Sequence, residues 1–143
     1  ADAICQQEAD DNSLVGTFYA WIATDTVNPN TRFTQSTVPY RLVDNTTQIA
    51  ANYAALTNSN NTDLLNAISL RADGTGTGFI SEQWTGVNAD GSSAIGQNCS
   101  NWTSTSGSGV VGNRTNTDEN WTNTVTRTCG NQSNPKRLYC FEQ

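Results

Sequence analysis

Apolar positions in this chain come in short bursts separated by long polar runs, and each burst predicts a short element. Ile4, Cys5 and Ala9 recur at helical spacing behind Asp2, which suits an N-cap, and predict a helix over about 3–11 with those three residues inward. Leu14-Val15-Gly16 turns the chain, and Phe18-Tyr19-Ala20-Trp21-Ile22 reads as a strand of aromatic and β-branched types. Asn28-Pro29-Asn30 marks a turn or one helical turn. Pro39 to Val43 and Gln48 to Ala50 flank the polar tip Asp44-Asn45 and predict a hairpin. Another helical turn is expected over 52–56, and Leu64 to Ile68 forms a short buried element of undefined type. Past Leu70 the pattern thins to a loop over 73–78, a strand between Phe79 and Gly86, and a loop over 88–97. From Cys99 onward there is almost no helix signal. The pattern predicts one small α+β domain spanning 1–143, with long ordered loops.

Composition sharpens this. Of 143 residues, 35% are apolar and 14% charged, while Thr and Asn number 21 and 18. Such a core is thin and needs staples. Histidine is absent, which removes imidazole bases, the Ser-His and Cys-His nucleophile pairs and histidine metal sites. A formal charge of −6 argues against a nucleic-acid partner. No apolar run approaches the roughly 20 residues of a membrane span. Four cysteines, Cys5, Cys99, Cys129 and Cys140, form no C-x-x-C pair and no common zinc spacing. Their even number predicts two disulfides, in any of three pairings, and an oxidising, secreted or cell-surface location for the mature part of an exported protein.

Little of this inventory carries chemistry. Gly74 to Gly78 lacks the Lys-Ser/Thr of a phosphate-binding loop. The carboxylate pairs Asp10-Asp11 and Asp118-Glu119 lie on polar stretches without the spacing or apolar pocket of a glycosidase pair, so no enzyme is expected. Calcium is the one metal the residues suit, through oxygens of Asn88, Asp90, Asp118, Glu119, Asn120 and Asn123. Trp21 and Trp84 sit in strand-like runs and are expected in the core. Trp102 and Trp121 stand among loops, where an indole face stacks on a sugar or, more commonly, packs inward. Seven N-x-Ser/Thr sequons, from Asn45 to Asn131, mark glycan positions only in a cell that modifies them.

In order, Ala1-Asp2-Ala3-Ile4-Cys5-Gln6, Gly16-Thr17-Phe18-Tyr19-Ala20-Trp21-Ile22, Pro39 to Asp44, Trp84-Thr85-Gly86, Cys99-Ser100-Asn101-Trp102 and Arg137-Leu138-Tyr139-Cys140 resemble one family. It is that of the bacterial extracellular domains of C-type-lectin-like, endostatin-like fold found in leptospiral surface lipoproteins. The resemblance covers nearly the whole chain. It implies short helices around twisted antiparallel strands and nested disulfides, Cys5–Cys140 and Cys99–Cys129. It also implies a non-enzymatic recognition or adhesion domain that presents long loops to an extracellular protein or glycan, with Trp102, Asn120, Trp121 and Asn123 as ligand-binding candidates. Where calcium-dependent lectins carry their sugar-coordinating triplets, this chain reads Val87-Asn88-Ala89 and Trp121-Thr122-Asn123, so the expectation is no cofactor and no bound calcium. The family's first strand precedes the helix and pairs with the last; here the helix starts almost at Ala1. That strand is therefore expected to be cut away, or replaced at the edge of Leu138 to Phe141 by another segment of the same chain. The competing expectation, a neighbouring copy that covers this edge by strand addition, makes self-association into a surface layer or filament the alternative function.

Overall fold

The computed structural model describes residues 1–57, 64–76, 78, 80–130 and 136–143. Among these the protein is a small α+β domain of short helices and three small antiparallel sheets. Helix α1 (Asp2–Asp11) buries Cys5 and Ala9 against strand β1 (Phe18–Ala20), which pairs with the last strand, β7 (Cys140–Glu142), in the register Tyr19↔Phe141. The last strand is thus partnered by a segment of the same chain that follows the helix, the replacement expected for the missing first strand. Ile4, expected inward, is 59% exposed. Asp2 does not cap α1. Its carboxylate accepts the Ala20 N–H at 2.9 Å and receives both guanidinium arms of Arg32 at 2.8 Å. Gln6 likewise accepts the Phe18 N–H, so side chains of α1 close the outer edge of β1. The Cys5–Cys140 disulfide ties helix to last strand.

Behind this layer lies an aromatic core centred on Trp21, which is fully buried. Its ring meets Phe33, Tyr53, Trp121 and Phe141 at centroid distances of 5.1–6.4 Å. The other walls come from α2 (Pro29–Arg32), the hairpin of β2 (Tyr40–Arg41) and β3 (Gln48–Ala50), and α3 (Tyr53–Leu56). Leu64 is buried as expected, but Leu65 is 62% exposed, and 64–69 contains no helix or strand. Strand Phe79 to Gly86 narrows to β4 (Glu82–Trp84); Phe79 itself lies outside the described residues.

The third sheet, β4 with β5 (Ser108–Asn113) and β6 (Val125–Thr128), closes over the core. Gly112 allows the close approach: a Cβ there would stand 2.0 Å from the Trp121 carbonyl oxygen. Trp121 belongs to a 3-10 turn, Glu119–Trp121, and Asn98 precedes a left-handed turn, Cys99–Trp102, whose four φ angles are 52, 53, 58 and 64°. Four consecutive L-residues in this region are unfavourable by roughly 1–2 kcal/mol each. Tertiary bonds hold them. Asn98 Oδ1 accepts the Asn101 N–H, Asn101 Oδ1 accepts the Asp25 N–H, and the Trp102 indole donates to the Ala23 carbonyl at 2.7 Å. The Cys99–Cys129 disulfide anchors the same turn, so the two bridges are nested as the resemblance implies. Trp84, expected in the core, is half-buried against Trp102 at 5.6 Å. Glu82 receives Arg127 and Lys136 together, which holds β4, β6 and the segment leading to β7.

Three tests follow from this packing. Thr122→Val removes the acceptor of the Trp21 indole N–H, a buried 2.7 Å bond, and should lower unfolding free energy by about 1–3 kcal/mol in urea titrations. Ser100→Gly should stabilise by roughly 0.5–1 kcal/mol, because glycine removes left-handed strain at an exposed position; a right-handed turn would give a loss instead. The third concerns acid. Arg127 and then Lys136 hold the Glu82 carboxyl down to about 2, whereas an unfolded glutamate titrates near the usual 4.5, so folding binds fewer protons. That stability is fully present above about pH 4.5 and is lost as pH falls through about 2. Thermal midpoints should fall across this window, and Glu82→Gln should flatten the fall.

Candidate recognition groove

An open groove of about 410 Å³ lies between the loop after β4 and the start of β6. Its walls are Asn88, Ala94, Ile95 and Gln97 on one side, and Val110, Asn123, Val125 and Thr126 on the other. The loop wall is built from side chains bonding to main chain. Asp90 Oδ1 accepts both the N–H and the hydroxyl of Ser92, at 2.9 and 2.6 Å. Asn88 Nδ2 donates to Ser92 Oγ and the Ser93 carbonyl, and Val87 bridges Ser93. Gly91, at φ +81°, permits the bend, and a Cβ there would strike Asn30 Oδ1 at 2.5 Å. Asn30 in turn donates to the Asp90 carbonyl, and Asp25 Oδ1 accepts the Gly96 N–H and Asn98 Nδ2, both at 2.8 Å. These hydrogen bonds, the backbone one first, hold the Asp25 carboxyl below the usual carboxylate range. The loop therefore enters the groove braced from behind by residues 25–30.

The opposite wall hangs on the core. Thr122 is fully buried; its hydroxyl accepts the Trp21 indole, and its carbonyl accepts the Thr85 hydroxyl at 2.6 Å. This fixes Asn123 at the groove floor, where its Nδ2 donates to Asn88 Oδ1 at 3.1 Å and joins the two walls. Ile95 is 74% and Val125 36% exposed. Among the described residues, no ionisable side chain lines the groove, although the chain carries a charge of −6.

Of the residues singled out from sequence, Asn88 and Asn123 meet here; the rest lie elsewhere. Trp121 is 2% exposed and packs in the core, its carbonyl accepting the Tyr139 hydroxyl at 2.8 Å, so it presents no face to a ligand. Trp102 is half-buried over Gly109 beside Trp84, not in the groove. Asn120 is occupied by Asp118, which accepts its N–H and its Nδ2. Asp118 also receives Asn116 Nδ2, the largest of the bonds that lower its carboxyl. Asp90 is turned into its own loop and Glu119 is exposed, so the four metal candidates Asn88, Asp90, Asp118 and Glu119 do not share one cavity. Among the described residues, no three Asp, Glu or Cys side chains gather as metal ligands. Each carboxyl with a resolved shift, at Asp2, Asp25, Asp44, Asp73, Glu82 and Asp118, is lowered and so ionised at neutral pH.

Sequence reasoning missed Ile95, Gln97 and Thr126. The available signal was Ile95 itself, one large apolar residue between Ala94 and Gly96 in an otherwise polar loop. Chemically, the groove offers carboxamides, a hydroxyl and aliphatic surface, a set that suits a neutral ligand with both polar and apolar groups. Compared with known proteins, the chain matches no family model, and no curated protein is similar enough to count as a relative.

Proposed function

We propose that this protein is a secreted or cell-surface recognition domain that binds an extracellular protein or glycan in the groove between Asn88–Gln97 and Asn123–Thr126, without catalysis and without a resident metal. The observation that carries the reading is the groove itself: a braced cleft with no charge among its described lining, and with exposed Ile95 and Val125 beside the carboxamides of Gln97 and Asn123. Two disulfides, one of them buried at both cysteines, suit an oxidising compartment. A C-type-lectin-like architecture is part of this proposal. The nested bridges, the pairing of an early strand with the last, and the long loops beside a small sheet all favour it.

The test is a binding screen against a glycan array and immobilised matrix and serum proteins, repeated with Ile95→Asp and Asn123→Ala. Each variant should weaken the bound ligand by at least about tenfold, equivalent to about 1.4 kcal/mol. Thermal midpoints should stay unchanged for Ile95→Asp, whose side chain faces solvent. Binding that neither variant alters would place the ligand elsewhere.

A further inference from the structure

Strand β6, Val125-Thr126-Arg127-Thr128, is exposed at every residue. Its ladder with β5 determines where its main-chain groups point. The Cys129 N–H donates to the Gly107 carbonyl, so in the observed register Gly109↔Arg127 and Val111↔Val125 are the hydrogen-bonded pairs. Thr126 and Thr128 fall on the alternate positions and turn their N–H and C=O groups away from β5. Among the described residues, no hydrogen bond reaches those groups. No proline lies within β6, and its one charge, Arg127, is drawn off by Glu82 through contacts of 3.0 and 3.1 Å. The unpaired edge runs into the groove at Val125 and Thr126, beside Ile95.

We propose that the groove recognises an extended, uncharged peptide segment of a partner protein, which adds as a strand to the outer edge of β6 and seats an aliphatic side chain on Ile95 and Val125. This rests on the groove being the ligand site. The chemistry chooses the occupant. Outward donor-acceptor sets at Thr126 and Thr128 repeat about 6.8 Å apart, the spacing of alternate residues in an extended main chain. Among the described residues, no aromatic ring lines the groove to stack on a sugar, and no ionisable group there pairs with a charged ligand. A second copy fits worse. It would bring together two chains that each carry −6.

The experiment is a heteronuclear NMR titration of the whole chain with the peptide acetyl-Thr-Val-Thr-Ile-Thr-amide, to about 5 mM. The Thr126 and Thr128 amide protons should move downfield and exchange more slowly, and the Ile95 and Val125 methyls should shift. Thr126→Pro and Thr128→Pro each delete an outward N–H without removing a bond to β5, so both should fold and lose at least about tenfold in affinity. Thr126→Ala keeps the N–H and should bind within about twofold of the parent. Should one proline variant fail to fold, the other variant and the amide shifts decide. Peptide binding that Ile95→Ser abolishes but neither proline alters would overturn strand addition and leave the groove as the ligand site. An absence of shifts at β6 would overturn strand addition, while the glycan and matrix screen still judges the groove separately. A concentration-dependent dimer that Thr126→Pro dissolves would overturn the peptide in favour of a second copy.

Discussion

The hydrogen bond from the Trp21 indole to the Thr122 hydroxyl, 2.7 Å long and wholly buried, joins the two halves of this protein. On one side, Trp21 gathers Phe33, Tyr53, Trp121 and Phe141, the largest rings the chain has to bury. On the other, Thr122 holds the Thr85 hydroxyl and so connects the 3-10 turn to β4. A buried indole N–H without an acceptor is destabilising by an amount comparable to a whole side chain's burial. The fold therefore depends on Thr122 being in place, and with Thr122 comes Asn123, the groove floor. Core and groove are coupled through adjacent residues.

Elsewhere, short polar side chains do work that larger domains leave to apolar contact. Asp44, Asp73, Asp90 and Asn113 each accept the N–H and the hydroxyl of a Ser or Thr two or three residues on. Each such turn satisfies backbone groups that a loop would otherwise leave to water. The abundance of Thr and Asn thus has a structural use: it orders loops that a 35% apolar composition cannot pack. Asp44, Asp73 and Asp90 are thereby engaged in their own turns. The described lining of the groove is neutral, and that neutrality shapes the functional reading.

The left-handed turn at Cys99–Trp102 shows the opposite balance, a locally unfavourable backbone held by its surroundings. Its restraints come from Asp25 and Ala23 and from Cys129, all distant in sequence. Through Asp25 the same restraints reach Gly96 and the groove loop, so the turn and the loop share one brace.

Local sequence by itself determined the short elements, because their signals are local. The spacing of Cys5 and Ala9 specifies the buried side of α1, Asp44-Asn45 the hairpin tip, and the run at Phe18 a strand. Tertiary structure alone decided which polar residues meet. Asn88 and Asn123 are 35 residues apart and touch only because Trp21 pins Thr122. Trp121 and Trp102 stand in equally polar stretches, yet the first is sealed in the core and the second half-buried, since burial depends on which rings lie opposite. Asp2 likewise has the place of a helix cap, but the arrival of Arg32 and the Ala20 N–H offers its carboxylate three stronger partners. Periodicity records what a residue does for its own turn or strand, whereas a site assembled from separate loops exists only once the core has set their distances.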